Sequence, residues 1–210
     1  KMPILGYGVY QVTKDECERC VLDALKAGYR SLDTAQSYFN EEEVGSAMKK
    51  SGIPREEIFL TSKVWVEHYG YEEARKSVEE SLRKLQTDYL DLMLLHQPFN
   101  DYYGAYRALE DLYDEGKLRA IGVSNFYPDR LVDLASFTRI PPMVNQIETH
   151  VLNQRIEDHA WMEKYHILPY DEATEKGYVR HIFVRKAVVT GELMACIIAN
   201  AQELPKRKQL

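Results

Sequence analysis

The chain has 210 residues, of which 45% are hydrophobic and 29% charged, a composition typical of a globular protein with one or at most two domains. Its formal net charge of −6 disfavours non-specific binding of nucleic acid by the chain as a whole. The longest apolar stretch, near residues 193–199, is far shorter than the ~20 residues that span a bilayer, and no cleavable leader is evident. We therefore expect a cytoplasmic protein with no membrane partner.

Amphipathic helical stretches alternate with short apolar strands from Asp15 onward, which predicts βα units around a parallel sheet. After an N-terminal hairpin at 3–12, the predicted helices span 15–27, 41–50, 71–86, 102–115, 128–136 and 155–165. The predicted strands span 30–34, 58–64, 89–97, 118–125 and 143–148, with a remnant of a sixth at 166–170. The pattern predicts an α/β fold, a (β/α) TIM-type barrel of five to six units. We expect it to be incomplete, because a full eightfold barrel typically needs ~250 residues.

The first predicted helix contains a C-x-x-C pair, Cys17 and Cys20, a spacing that also occurs in zinc and redox sites. Both cysteines fall on one helical face with Val21, Ala24 and Leu25. No second C-x-x-C or histidine pair follows to complete a set of four ligands. We therefore expect these cysteines to pack in the core, and we predict no metal site.

The alternation of helices and strands breaks down after 166–170. Residues 178–199 contain apolar runs separated by Thr190 and Gly191, which favours an antiparallel β-hairpin over a further βα unit. The balance of charge, negative for most of the chain, also turns positive from Tyr170 onward. These changes predict two parts, a partial barrel at 1–168 and a β-rich tail at 169–210.

Chemistry-bearing residues recur where the early strands end, and in a parallel barrel those ends form the active site. Asp33 ends one strand and Tyr38 follows it, Lys63 ends the next, and His96 ends the third. Carbonyl reduction needs a hydride at the carbon and a proton at the oxygen, which a tyrosine can donate. A lysine ammonium is expected to lower the tyrosine pKa from about 10, and a carboxylate to hold that lysine charged. A histidine can orient the carbonyl oxygen by a hydrogen bond.

Each of these residues also has an ordinary structural explanation when it is taken singly. Asp33 is suited to a turn, Lys63 to a solvated strand end, His96 to a loop and Tyr38 to packing. Their coincidence at successive strand ends favours the catalytic interpretation over four separate structural ones.

The sequence around these residues resembles the aldo-keto reductase family across roughly residues 3–165. The segments that carry the resemblance are GYRSLDTAQSYFNEEEVG, FLTSKVW, LLHQP, GKLRAIGVSNF and VNQIE, in that order. The resemblance implies NAD(P)H-dependent reduction of an aldehyde or ketone to an alcohol, with NADPH or NADH as cofactor and a small carbonyl compound as substrate. No Gly-rich Rossmann loop follows a strand, in agreement with that family.

The resemblance also implies a role for individual residues. Tyr38 would be the proton donor, Lys63 and Asp33 the pair that tunes it, and His96 the residue that orients the substrate. The nicotinamide carboxamide would be held by Ser124, Asn125 and Gln146. Tyr10 and Trp65 match positions that line the family's substrate pocket, although ordinary packing at the barrel mouth explains them equally well.

The tail, at about 169–205, is similar instead to a segment of RNA uracil-5-methyltransferases of the 23S ribosomal type. We hypothesise that two unrelated fragments meet between Lys164 and Tyr170 in a truncated or chimeric chain. A reductase impaired by truncation is then the first functional hypothesis. The alternatives are a catalytically inactive reductase-derived protein, and a fragment linked to RNA uracil methylation, with nucleic acid as a partner only through the tail.

Overall fold

A computed structural model of the chain describes residues 1–149, 153–158, 160, 182–186 and 193–197. Six parallel strands form a curled half-barrel in which each strand pairs with the next along the chain. These strands are β1 (Tyr7–Gly8), β2 (Ser31–Asp33), β3 (Phe59–Val64), β4 (Leu92–Leu95), β5 (Ile121–Ser124) and β6 (Asn145–Gln146). The helices between them are α1 (Lys14–Lys26), α2 (Glu41–Ser51), α3 (Tyr71–Leu85), α4 (Tyr102–Asp114) and α5 (Pro128–Phe137). The α/β barrel architecture predicted from the sequence is confirmed.

Two neighbouring strands of the sheet are buried along their whole length, as expected for a parallel sheet covered by helices. All residues of β4 and β5 are buried. Each helix has a buried apolar face, and in α3 that face includes Ala74, Val78, Leu82 and Leu85. A Cβ on Gly45 in α2 would collide with the backbone of Lys84 and Leu85, so this glycine permits α2 and α3 to pack closely.

The prediction of an N-terminal hairpin at 3–12 is wrong. Its strand, β1, pairs in parallel with β2, with Tyr7 opposite Leu32 and Gly8 opposite Asp33. The backbone N–H of Val9 continues this pairing by donating to the Asp33 carbonyl at 3.0 Å. Gln11 adopts a left-handed conformation with φ of 61°, and the chain then proceeds into α1. Strand β2 therefore supplies hydrogen-bond partners for the backbone groups of this segment, so these groups do not need partners from a local hairpin.

The C-x-x-C pair lies on α1 as expected. Cys17 is buried together with Val21, Ala24 and Leu25, and Cys20 is partly buried, so the predicted core face is confirmed. Among the described residues no cluster of three or more histidine, cysteine, aspartate or glutamate side chains could hold a metal ion.

The tail contributes two described strands, β7 (Ile182–Lys186) and β8 (Leu193–Ile197), which pair antiparallel with Ile182 opposite Ile197. This pairing confirms the predicted hairpin. The hypothesised junction, the strand remnant at 166–170 and most of the helix at 155–165 lie outside the described residues and stay predictions. No helix within the described ranges is long and apolar enough to cross a membrane.

Candidate active site

The four predicted catalytic side chains converge at the carboxyl ends of β2, β3 and β4. Asp33 is the last residue of β2, Lys63 the penultimate residue of β3, and His96 directly follows β4. Tyr38 lies on a 3₁₀ turn, Gln36–Tyr38, that follows β2. The Lys63 ammonium donates to Oδ1 of Asp33, to the Thr34 carbonyl at 3.0 Å, and to the Tyr38 hydroxyl at 3.4 Å. The structure therefore joins Asp33, Lys63 and Tyr38 in one hydrogen-bonded chain.

Lys63 is a buried cation, with only 1% of its surface exposed. Burial by itself lowers the pKa of its ammonium, but Asp33 and Tyr38 together more than offset that effect. The pKa of Lys63 consequently lies above its ordinary value, and the side chain is charged at neutral pH.

The Tyr38 hydroxyl is subject to opposing influences. Burial raises its pKa, Lys63 lowers it as the sequence suggested, and Asp33 raises it again. Burial is the largest influence and the pKa of Tyr38 is raised on balance, so the expected net lowering is wrong for this structure. The phenol therefore keeps its proton at neutral pH.

His96 is 9% exposed and packs between two aromatic rings. The ring centroids of Tyr38 and Trp65 lie 5.6 and 5.2 Å from the imidazole, both in edge-on geometry. Burial, assisted by the nearby Lys63 charge, lowers the pKa of His96 to about 4. The imidazole is therefore neutral at pH 7 and carries a proton on only one of its nitrogens. Its Nδ1 lies 3.3 Å from Oγ of Ser37.

The three residues predicted to hold the nicotinamide follow the next strand ends and form a hydrogen-bonded set. Ser124 Oγ donates to the Gln146 carbonyl at 3.0 Å. The Asn125 amide donates to the His96 carbonyl at 3.1 Å and to Ser124 Oγ at 3.2 Å, from a left-handed backbone with φ of 61°. Gln146 Nε2 donates to Oδ2 of Asp33 at 2.8 Å. A hydroxyl and two amides offer both donors and acceptors, so this set fits a carboxamide chemically.

The two residues predicted to line the substrate pocket both lie beside the catalytic set. Tyr10, in the loop after β1, is 57% exposed and its ring centroid lies 5.0 Å from that of Tyr38. Trp65 follows β3 and packs against His96. One ring therefore borders the Tyr38 side of the catalytic set and the other borders the His96 side.

Several polar residues that support the site were missed by the sequence analysis. Gln36 accepts from the Trp65 backbone N–H at 2.8 Å and donates to the Ser77 carbonyl and to Ser81 Oγ, both at 3.1 Å. Asn40 donates to the carbonyls of Val9 and Val12, fixing the Tyr10 loop. The sequence did contain a signal for these residues, because several polar side chains lie close together between Asp33 and Glu41. From that segment only the aspartate and the tyrosine were predicted to belong to the site.

A cavity of about 930 Å³ adjoins the ends of β4 and β5. Its wall on that side includes Gln97, Phe99, Asn125 and Tyr127. The cavity thus takes in Asn125 of the predicted nicotinamide-holding set, while none of the four predicted catalytic side chains lines it.

Comparison with known proteins gives a consistent result. A sequence model of the aldo/keto reductase family matches residues 5–170. A glyoxal reductase of Bacillus subtilis is 53% identical over 152 residues, which cover 71% of this chain and 55% of the relative. A methylglyoxal reductase of Escherichia coli K12 is 42% identical over 163 residues, covering 76% of this chain and 58% of the relative. The chain thus spans somewhat more than half the length of these curated relatives.

Solved structures agree with the sequence comparison. An aldo/keto reductase from Brucella melitensis has a TM-score of 0.77 at 45% identity, covering 80% of this chain and 66% of the other. An aldo-keto reductase from Bombyx mori, solved in complex with NADP, has a TM-score of 0.75 at 33% identity, covering 80% of this chain and 61% of the other.

Proposed function

The chain belongs to the aldo/keto reductase family, and from that premise we propose that it reduces small aldehydes or ketones to alcohols with NADPH. The observation that carries the proposal is the contact of the buried Lys63 ammonium with both Asp33 and the Tyr38 hydroxyl. A charged lysine at this hydroxyl stabilises the phenolate that remains after the proton is donated. The enzyme class of the relatives and this geometry thus indicate the same chemistry.

The reaction balances as carbonyl, NADPH and one proton giving alcohol and NADP⁺. When bound, the dinucleotide supplies the hydride to the carbonyl carbon. Tyr38 donates its proton to the carbonyl oxygen as negative charge develops there, and it is afterwards reprotonated from solvent. Asp33 keeps Lys63 charged throughout. His96, neutral at pH 7, donates a hydrogen bond that orients the oxygen toward Tyr38.

Ser124, Asn125 and Gln146 are proposed to hold the nicotinamide carboxamide and so to select the ring face that delivers the hydride. Their support is the cluster of a hydroxyl and two amides at the ends of β5 and β6. Tyr10 and Trp65 are proposed to contact the substrate, because both rings border the catalytic set. NADPH is chosen over NADH because a structural relative was solved with NADP.

For the substrate we propose a small α-dicarbonyl compound. Relatives at 53% and 42% identity are named as glyoxal and methylglyoxal reductases. Such a compound presents a second carbonyl oxygen next to the reacting one. No described residue gives an observation that favours the inactive-protein or RNA-methylation alternatives over this reaction.

The proposal is tested with the full chain by two measurements. NADPH binding is followed by quenching of protein fluorescence, and turnover is followed by NADPH oxidation in the presence of methylglyoxal. We expect saturable cofactor binding and oxidation that depends on both methylglyoxal and enzyme. Binding without turnover would support a catalytically inactive member of the family, and the absence of both would overturn the proposal.

A further inference from the structure

Ser37 precedes the predicted proton donor and contacts the predicted substrate-orienting histidine. Its hydroxyl Oγ lies 3.3 Å from Nδ1 of His96. His96 is 9% exposed and Ser37 is partly buried. Among the described residues Ser37 is the hydrogen-bonding partner of the His96 ring, and none of them bonds to Nε2. Ser37 is thus placed to influence which ring nitrogen carries the proton.

A neutral imidazole has one donor nitrogen and one acceptor nitrogen, and the partner of one determines the role of the other. A serine hydroxyl can donate to a bare Nδ1 or accept from a protonated one, so the contact alone permits both tautomers. The proposed reaction decides between them. An imidazole that orients a carbonyl oxygen must donate a hydrogen bond to it, and the nitrogen left for this is Nε2.

We propose that Ser37 is a positioning residue that donates its hydroxyl proton to Nδ1 of His96, thereby holding the tautomer in which Nε2 carries the hydrogen and faces the substrate oxygen. This inference rests on the proposed carbonyl reduction. The low pKa of His96 supports it, because a doubly protonated ring would have no acceptor for the serine.

The other described neighbours of the His96 ring make no hydrogen bond to its nitrogens, although the charges of Lys63 and Asp33 also act on the imidazole. The rings of Tyr38 and Trp65 pack edge-on against the imidazole and fix its plane without hydrogen-bonding to its nitrogens. Asn125 contacts His96 only through the backbone carbonyl, at 3.1 Å. Orientation of the ring is therefore shared among several neighbours, whereas Ser37 is the one described residue that hydrogen-bonds to a ring nitrogen.

The direct test is the ¹⁵N chemical shift of the His96 ring nitrogens in the uniformly labelled full chain at neutral pH. The signals are assigned by their loss in His96→Gln, since the chain has six histidines. We expect a protonated Nε2 and an unprotonated Nδ1. A proton on Nδ1 would overturn the proposal. This readout needs no turnover, so it distinguishes failure of the tautomer assignment from failure of the proposed reductase activity.

The variant Ser37→Ala removes the hydroxyl, and Ser37→Thr keeps it. We expect Ser37→Ala to increase the Nδ1-protonated population and to lower kcat/KM for methylglyoxal about three- to tenfold, the effect of one neutral hydrogen bond. The Kd for NADPH should not change. Ser37→Thr should restore both the spectrum and kcat/KM, and Ser136→Ala, which removes an exposed helical hydroxyl bonded only to Val132, serves as the matched control.

Two further outcomes would overturn the proposal. One is a Ser37→Ala protein whose ring shifts and kcat/KM both equal those of the wild type. The other is a Ser37→Thr protein as impaired as Ser37→Ala in both measurements although its circular dichroism is unchanged.

Discussion

Gln146 donates its side-chain amide to Oδ2 of Asp33 over 2.8 Å, while the Lys63 ammonium occupies Oδ1 of the same carboxylate. The bond joins β6 to β2, two strands separated by three others in the sheet. It thus links the proposed cofactor-holding set to the proposed catalytic set within the concave side of the half-barrel. An amide that serves both sets should affect both when it is removed.

The first prediction concerns this link. Gln146→Leu keeps a similar volume but removes the donor to Asp33 and the proposed contact to the carboxamide. We expect the Kd for NADPH to rise about tenfold, corresponding to ~1.4 kcal/mol, which is within the usual contribution of one hydrogen bond. Fluorescence quenching measures this Kd. A Kd equal to that of the wild type would show that Gln146 serves only Asp33.

The second prediction compares the two ways of breaking the ion pair. Asp33→Asn leaves the Lys63 charge buried without its counter-ion, and should lower the free energy of unfolding by about 3 kcal/mol. Lys63→Met removes the buried charge itself and leaves Asp33, which is 25% exposed and still bonded to Gln146. Lys63→Met should therefore be the less destabilising variant. Urea denaturation of both proteins checks the order, and equal losses would contradict the account of an uncompensated lysine.

The free energy of unfolding should depend on pH through His96. The folded-state pKa of His96, about 4, lies below its ordinary value of 6.5, so the unfolded chain binds a proton that the folded chain does not. Stability from this group is therefore present above pH 6.5 and is lost as the pH falls toward 4. Between pH 7 and pH 5 the loss should be about 2 kcal/mol.

The measurement is urea denaturation at the two pH values, with His96→Gln as the control that removes the titrating ring. Other groups, including the buried Glu41 with its raised pKa, also titrate in acid, so the quantity of interest is the wild-type change minus the variant change. A difference near zero would mean that the folded pKa of His96 is not lowered.

The fourth prediction concerns Gln36, which links the Tyr38 turn to Trp65 and to α3. Gln36→Leu should raise KM for methylglyoxal more than it lowers kcat, because Trp65 loses the acceptor of its backbone N–H.

The same side chain also bonds to α3, and Ser81→Ala removes its Oγ partner there. Because both variants break the same bond, their effects on the free energy of unfolding should be less than additive. Strict additivity would argue against this network.

The catalytic residues and the supporting polar contacts differ in how well the sequence predicted them. Lys63 lies near the carboxyl end of β3 and His96 directly follows the apolar β4, and the ends of parallel strands meet at one rim, so their convergence follows from local patterns. The parallel pairing of β1 with β2 was missed because it depends on a partner about 25 residues away. The bond from Gln146 to Asp33 joins residues 113 apart, and no local pattern encodes it.

The direction in which the pKa of Tyr38 is shifted was not predicted, for a related reason. The sequence shows that a lysine is available to lower it, and Lys63 does so. It does not show how deeply the phenol is buried, and burial is the larger effect. The Ser37 contact was missed because the sequence does not reveal that the 3₁₀ turn brings this serine against the strand-end histidine.

The central claim is that Tyr38 donates the proton to the carbonyl oxygen. The most direct test is to measure, in Tyr38→Phe, the single-turnover oxidation of bound NADPH by methylglyoxal. The matched control is Tyr10→Phe, which removes a hydroxyl from the adjacent ring, 5.0 Å away. We predict that Tyr38→Phe slows the turnover at least about 100-fold with an unchanged Kd for NADPH, as expected for loss of a general acid, while Tyr10→Phe stays within a few-fold of wild type. A Tyr38→Phe rate close to that of the wild type would contradict the claim.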